Sequence, residues 1–373
     1  MIKNELKTPT LRFSDFTSDW QNKKLGDVCD IKYGKDHKKL NNGIVPCYGS
    51  GGVMRMVDNY IYDKPSVLIP RKGTLSNLFY MNKPFWTVDT LFYTKIIEKI
   101  ILPKFLFYKL KNTNLENYKS GSGVPSFTTE SLNSISLIIP KDPKEQNKIA
   151  GFLSSVDKRI DLLQQKHDTF IQYKNALMQG LFPQKGQTNP SMRLNDKNNN
   201  PFTKNWQEKE LGDVLSYEQP NKYIVDSAKY NNMYNIPVLT AGKSFILGYT
   251  NEKHGIYDKG ECIIFDDFTT SSHYVCFPFK VKSSAIKLLT LKNEYNNIKI
   301  VYELIKRIYY PTYEHKRYWI SEYSNLYIKL PELEEQNKIA GFLSSVDKKI
   351  ENISNQLNQS KQFKKSLMQK MFI

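Results

Sequence analysis

The chain has 373 residues, with 54 Lys and Arg against 37 Asp and Glu, giving a formal charge of +17. That length allows two or three domains with their own cores, and an aromatic content of 13% argues against a disordered basic tail protein. No stretch approaches 18 uncharged apolar residues and Met1-Ile2-Lys3-Asn4-Glu5 opens no secretory signal, so a membrane span is excluded and a cytoplasmic chain expected.

In chain order, Trp20-Gln21 and Leu25-Gly26-Asp27-Val28 open a block of short β-runs and turns. Ser66 to Pro70 reads as a strand from its unbroken apolar and β-branched content, and Pro103 to Leu110 as a helix with Pro at its start. A long helix follows through Glu145 to Phe182, and then Pro183 to Pro201, rich in Pro and Asn, reads as a linker. The series then repeats: Trp206-Gln207 and Leu211-Gly212-Asp213-Val214, a strand at Glu261 to Phe265, a helix at Ile298 to Ile308, and a second long helix to the end. The expected segments are 1–143, 144–182, 183–201, 202–333 and 334–373.

The repeat is exact in the tails. Glu145 to Lys158 reads EQNKIAGFLSSVDK, and Glu335 to Lys348 is identical, 190 positions later. The block openings recur at an offset of 186, so both variable blocks follow one plan. Further landmarks recur inside them: Ile61-Tyr62-Asp63-Lys64 with Ile256-Tyr257-Asp258-Lys259, and Pro84-Phe85 with Pro278-Phe279.

Both tails carry apolar residues on alternating four- and three-residue steps. The first has Ile149, Leu153, Val156, Ile160, Leu163, Phe170 and Leu177, with His167 and Lys174 in polar slots. The second has Ile339, Leu343, Val346, Ile350, Ile353, Leu357 and Leu367, with Ser360 and Lys364 in the slots. Such a heptad seam predicts helices of about 33 residues, roughly 50 Å each, pairing as an antiparallel coiled coil. That pairing would set the blocks at opposite ends of a rod. The expected fold is therefore α+β, two mixed α/β blocks joined by two paired helices.

The positive charge points to a polyanionic partner, nucleic acid or an acidic surface. Candidate contacts in the first block are Lys35, Lys38 and Lys39, then Tyr48, Ser50, Arg55, Arg71, Lys72, Thr74, Ser120 and Ser122. In the second they are Lys222, Thr240, Lys243, Asp266, Asp267, Thr269, Thr270, Ser271, His273, Lys316 and Arg317, the last pair beside His315. Gly-rich turns let backbone N–H groups approach phosphates, and Lys and Arg supply salt-sensitive attraction. Aligned on the Tyr-Asp-Lys landmark, Arg71-Lys72-Gly73-Thr74 falls where the second block has Asp266-Asp267-Phe268-Thr269. Arg or Lys suits the paired acceptors of guanine and a carboxylate suits the amino donor of cytosine, so the swap suits two readers of different sequence.

Catalytic signals fail. Ala241-Gly242-Lys243-Ser244 would need glycine at Pro237 to form a phosphate loop, and Asn200-Pro201-Phe202 lacks the second Pro of an amino-methyltransferase motif. No Gly-x-Ser-x-Gly elbow or His-x-x-x-His pair appears, and Cys29, Cys47, Cys262 and Cys276 lie far apart, which suits buried reduced thiols better than disulfides or zinc.

With these residues in place, the chain resembles the specificity (S) subunit of type I restriction–modification systems. The likeness rests on Glu145-Gln146-Asn147-Lys148-Ile149-Ala150 and its copy from Glu335, the Trp…Leu-Gly-Asp-Val openings, Tyr62 to Gly73 and Pro84 to Thr90. The resemblance implies two target-recognition domains, each gripping half of an asymmetric bipartite site on double-stranded DNA, with the helices as spacer. It implies no catalysis and no cofactor on this chain. Two modification (methyltransferase) subunits would dock on the helices and restriction (motor–nuclease) subunits would join them. S-adenosylmethionine, ATP and Mg belong to those partners. The competing readings are a stand-alone nuclease or methyltransferase and a coiled-coil adaptor that does not bind DNA.

Overall fold

The computed structural model describes residues 8–120, 125–242, 244–311 and 316–373. It divides into two units, Met1–Lys166 with Ile353–Ile373 and His167–Asn352. The first unit contains β1 (Gln21–Lys24), α1 (Leu25–Val28), β2 (Cys29–Tyr33), β3 (Val45–Gly49), β4 (Gly52–Val57), β5 (Ser66–Pro70), β6 (Phe79–Met81), β7 (Trp86–Thr87), β8 (Leu91–Ile96), α2 (Pro103–Asn112), α3 (Thr129–Asn133) and β9 (Ser136–Ile139), and α4 (Pro143–Gly180) begins in it. The strands form a four-stranded sheet β2-β8-β5-β6, a three-stranded sheet β4-β3-β7 and the pair β1-β9. Every residue of β5 is buried, which explains its unbroken apolar run.

The second unit repeats the plan with β10 (Gln207–Glu210), α5 (Leu211–Val214), β11 (Leu215–Glu218), β12 (Ile236–Leu239), β13 (Ile246–Thr250), β14 (Cys262–Asp266), β15 (Ser272–Val275), β16 (Lys280–Val281), β17 (Ile286–Leu291), α6 (Ile298–Ile305), β18 (Tyr327–Leu330) and α7 (Leu333–Met371). Its sheets run β11-β17-β14-β15, β13-β12-β16 and β10-β18, the same orders strand for strand. The recurring landmarks are partners in space: Tyr62 bridges Phe85, and Tyr257 bridges Phe279. Helix α6 ends three residues before the expected Ile308, where Arg307 N and Ile308 N turn onto Leu304 O and Ile305 O, three residues back.

Helices α4 and α7 have 38 and 39 residues and pack together. In the first unit Lys364 pairs with Asp157, and Lys361 Nζ meets Gln164 Oε1 at 3.5 Å, so the segments run antiparallel. In the second, Lys174 pairs with Asp347 at 2.6 Å. The two lysines in the polar slots of the seam thus each meet an aspartate. Every seam residue is buried or half-buried, but the early turns serve the blocks: Ile149, Leu153 and Val156 sit in one core with Phe105 and Leu106, and Ile339, Leu343 and Val346 in another with Val301 and Leu304.

The identical tail has a physical reason. Glu145 is fully buried and accepts from Arg12 Nε at 2.6 Å, Arg12 Nη2 at 2.8 Å and Trp20 Nε1 at 3.1 Å. Gln146 Oε1 accepts from Leu102 N at 2.8 Å, and its Nε2 donates to Ile100 O and Pro140 O, both at 3.0 Å. In the second unit Glu335 takes the Arg193 guanidinium, and Gln336 takes Asn297 N at 2.8 Å while donating to Pro331 O at 2.8 Å. One Glu-Gln pair thus seats each helix on its block.

Residues 183–201 are not slack. Met192 N donates to Gly180 O at 2.9 Å, Arg193 holds Glu335 and Lys204 O, and Asp196 caps the Asn198–Asn200 turn. The stretch 8–18 does the same in its unit, with Leu11 N on Lys370 O at 2.9 Å and Arg12 on Glu145. Of the cysteines, Cys29, Cys47 and Cys262 are buried, whereas Cys276 is exposed, which corrects the expectation of four buried thiols. Burial pushes Cys29 and Cys262 up to about 12. Among the described residues no helix is long and apolar enough to cross a membrane.

Candidate nucleic-acid interface

In the first unit, loops distant in sequence converge. Lys35 N donates to Thr87 O at 2.8 Å and Trp86 Nε1 to Lys35 O at 3.0 Å, which ties the 34–40 loop to β7. Arg71 N donates to Thr90 O at 2.8 Å, its Nη1 reaches Asp89 O at 3.2 Å, and the guanidinium lies over the Tyr33 ring at 5.5 Å. Asn77 Nδ2 donates to Ser50 O at 3.0 Å, so the turn after β5 abuts the β3–β4 tip. Gly73 has φ +85°, and a Cβ there would stand 2.6 Å from Ser50 Oγ. Ser126 bridges both Lys72 and Ser120.

Of these segments, the 34–40 loop, the β3–β4 tip and the 88–90 turn surround an open cleft of about 910 Å³, lined by Asp36, His37, Lys38, Gly49 to Met54, and Val88 to Thr90. Lys35, Lys38, Lys39, Lys72 and Thr74 are exposed; Ser50, Arg71 and Ser120 are half-exposed. Exposed Asp36 and Asp89 stand among these cations. A mixed set of this kind offers the lysines to phosphates and leaves donors and acceptors for base edges.

Two candidates have structural duties. Tyr48 packs against Phe79 with ring centroids 5.4 Å apart, burial pushes its hydroxyl up, and its carbonyl accepts from Val88 N. Arg55 holds the 40–42 loop through Leu40 O at 3.3 Å and Asn42 Oδ1 at 2.8 Å. Ser122 lies outside the described residues.

In the second unit, the β14–β15 hairpin tip, the 240–245 loop and the end of α6 border a 330 Å³ cleft that includes Thr270, Ser271 and His273. His273 stacks on Phe245 at 4.6 Å. Thr240 braces its own loop through Gly242 N and Ser244 O, both at 3.1 Å. Thr269 is exposed at the hairpin tip, and Lys222 is exposed on a separate turn, where its carbonyl closes on Gly255. Arg317 is exposed, and Lys316 pairs with Glu322 at 2.7 Å. Lys243 and His315 lie outside the described residues.

The paired aspartates part company. Asp266 Oδ1 accepts from Phe268 N and Thr269 N, both at 2.9 Å, which closes the turn where Thr270 takes φ +57°. Asp267 is 1% exposed. Its Oδ2 lies 3.2 Å from the fully buried Lys287 Nζ, an ion pair not aligned as a hydrogen bond. Its Oδ1 accepts from Trp319 N at 2.8 Å, its carbonyl from Tyr318 N at 2.9 Å, and its N–H donates to Ala285 O at 2.9 Å. The expectation of a base-edge acceptor at Asp267 is therefore corrected: a buried carboxylate committed to Trp319 N on one oxygen and to the Lys287 cation on the other has no face for DNA.

Sequence reasoning did not single out Asn77, Asp89 and Thr90, which join the loops of the first unit. For Asp89 and Thr90 the signal was the Pro84–Thr90 stretch, whose backbone carbonyls carry the contacts and leave no trace in residue identity; Asn77 joins through its side-chain amide.

Comparison with known proteins agrees with this architecture. The family model for the type I restriction modification DNA specificity domain matches residues 17–169 and again 203–362. The type I restriction enzyme EcoR124I/EcoR124II specificity subunit of Escherichia coli is 50% identical over 126 residues, 32% of this chain and 31% of that one. The MjaIX specificity subunit of Methanocaldococcus jannaschii is 24% identical over 216 residues, 56% and 46% of the two chains. Each match spans less than half the relative's length. The solved S subunit of a type I restriction-modification system from M. genitalium superposes with a TM-score of 0.74 at 15% identity, covering 98% of this chain and 99% of that one, a likeness of fold. With both repeats matched by one family model over most of the sequence, the chain belongs to the type I restriction–modification specificity (S) subunit family.

Proposed function

We propose that this chain is the sequence-reading subunit of a type I restriction–modification complex, binding double-stranded DNA at an asymmetric, two-part site. The observation that supports it best is two blocks of identical strand order whose matching tips differ, Lys72 exposed and Arg71 half-exposed in one against a turn closed by Asp266 beside a buried Asp267 in the other. A shared scaffold with different tips is what two half-sites of different sequence need. Linking two weak grips makes the second nearly intramolecular, so the helices fix the gap between half-sites. The chain reads and positions, and chemistry is left to partners. Two modification subunits dock along the helices and adjoining block surfaces, flip an adenine out of the stack and methylate it from S-adenosylmethionine; restriction subunits with ATP and Mg add motor and nuclease work. The proposed compartment is the cytoplasm, with the DNA it reads.

Genome-wide adenine methylation, compared with and without this gene, tests the reading. Loss of one asymmetric bipartite motif is expected. An unchanged methylome, together with no salt-sensitive DNA binding by the purified complex, overturns it.

A further inference from the structure

Both three-stranded sheets carry the same irregularity. In β3–β4, Cys47 pairs with Arg55 and Tyr48 with Val53, so Met54 is the extra residue of a β-bulge. In β12–β13, Val238 pairs with Gly248 and Leu239 with Ile246, so Leu247 is the extra residue there. Neither bulge is visible as a repeat in the sequence, since Val53-Met54 and Ile246-Leu247 share no identity. What they share is exposure of large apolar side chains: 54% and 57% for Val53 and Met54, 41% and 39% for Ile246 and Leu247.

A bulge bends the strand and re-aims the residue it leaves unpaired, and such features concentrate at functional sites. Two unrelated apolar pairs held outward at one place need an apolar partner surface. The surroundings favour DNA. Val53 and Met54 line the cleft that holds Lys38 and Ser50, on a tip whose Gly51 and Gly52 have nothing within 4 Å of a would-be Cβ. A bare backbone tip across the cleft from Lys38 can approach a duplex closely.

We propose that Met54 and Leu247, backed by Val53 and Ile246, are apolar wedges that enter a DNA groove and pack against a base step, one in each half-site. The inference rests on the DNA-reading function above. Inserted apolar side chains unstack a step and leave phosphate contacts untouched. Binding should therefore weaken without a change in salt dependence.

The test uses the full chain in its complex and duplexes carrying the methylated motif, with 2-aminopurine at successive steps of each half-site. Wild type is expected to raise 2-aminopurine fluorescence at one step per half besides the adenine that the modification subunits flip, and the signal at that further step is the one read. Met54→Ser with Val53→Ser should abolish the first-half signal, leave the second, and weaken binding roughly tenfold per side chain. The slope of log K against log salt should stay unchanged, whereas Lys38→Ala should lower it by about one. Leu247→Ser with Ile246→Ser should do the converse in the second half. All four positions are exposed, so the variants keep their cores. A wild-type complex that binds no duplex overturns the DNA-reading function and the wedge with it. Normal wild-type binding with unaltered affinity and fluorescence in both variants overturns the wedge alone. So does weakened assembly with modification subunits at unchanged DNA affinity, which would make the pairs a protein-docking surface.

Discussion

Replacing Asp267 by Asn tests whether the second recognition face is built around one buried charge. The amide keeps the volume and an oxygen for Trp319 N, and it leaves Lys287, with no exposed surface, lacking a counter-charge. Removing one partner of a buried pair costs about 3–5 kcal/mol. For a unit of this size each kcal/mol lowers the midpoint by about 2–4 °C, so the transition of the second unit should fall by roughly 6–20 °C. Calorimetry of the full chain reads it, because the first unit supplies an internal reference. Adding Lys287→Met should recover most of the loss, since an apolar replacement of a buried pair is often neutral. Second-half DNA reading should fail before first-half reading, because Asp267 ties the β14–β15 tip to the segment that carries Lys316 and Arg317. A shift below about 3 °C, or a double variant no better than the single, would refute the argument.

Four further expectations follow from the same geometry. Lys109 is buried beside Phe372, and desolvation pulls it down to about 8 from its ordinary value. Between pH 8 and 10.5 the unfolded chain holds the proton that the folded one has released, so the first unit should gain stability as pH rises there, and Lys109→Met should flatten that rise in midpoint. Maleimide on the native protein should add one label, at Cys276, and denaturation should expose three more; more than one native label would contradict the burial of the others. Leu153→Asp or Leu343→Asp places a carboxylate in a fully packed core and should unfold its own unit by several kcal/mol, read as loss of one calorimetric transition. Arg71→Ala should alter methylation specificity in one half of the motif, and a change in both halves would count against its assignment to the first block.

Much of the fold was legible because it rests on repetition and periodicity. The duplicated EQNKIAGFLSSVDK, the seam and the apolar run at Ser66–Pro70 each leave a pattern in residue identity. The tips were legible only as composition. Asp266 and Asp267 are adjacent identical residues, yet one closes a turn and the other anchors a buried lysine, and only the partner, Lys287 on another strand, tells them apart. The 183–201 stretch shows the same limit. Pro and Asn mark turns, and residues 183–201 are turns, but Arg193 fastens them to Glu335 across 142 positions of chain.

That fastening bears on why the two tails agree letter for letter while the blocks diverge. Each helix start must present Glu to an arginine and Gln to the backbone entering the block's second helix, and must present Ser154 or Ser344 to a lysine of that helix, Lys104 at 2.5 Å or Lys299 at 2.8 Å. Further along, Asp157 and Asp347 must each meet the slot lysine of the opposite helix. The Glu, Gln and Ser answer to the block, and the two aspartates answer to both block and helix, Asp157 to Tyr108 and Lys364, and Asp347 to Lys299 and Lys174, so a change at any of them disturbs a surface that the fold depends on. A tip residue such as Thr269 answers to neither. Substitution is therefore cheap at the tips and costly in the tails, which is the arrangement the proposed two-grip reader of DNA needs if its targets change while the spacing between them stays fixed.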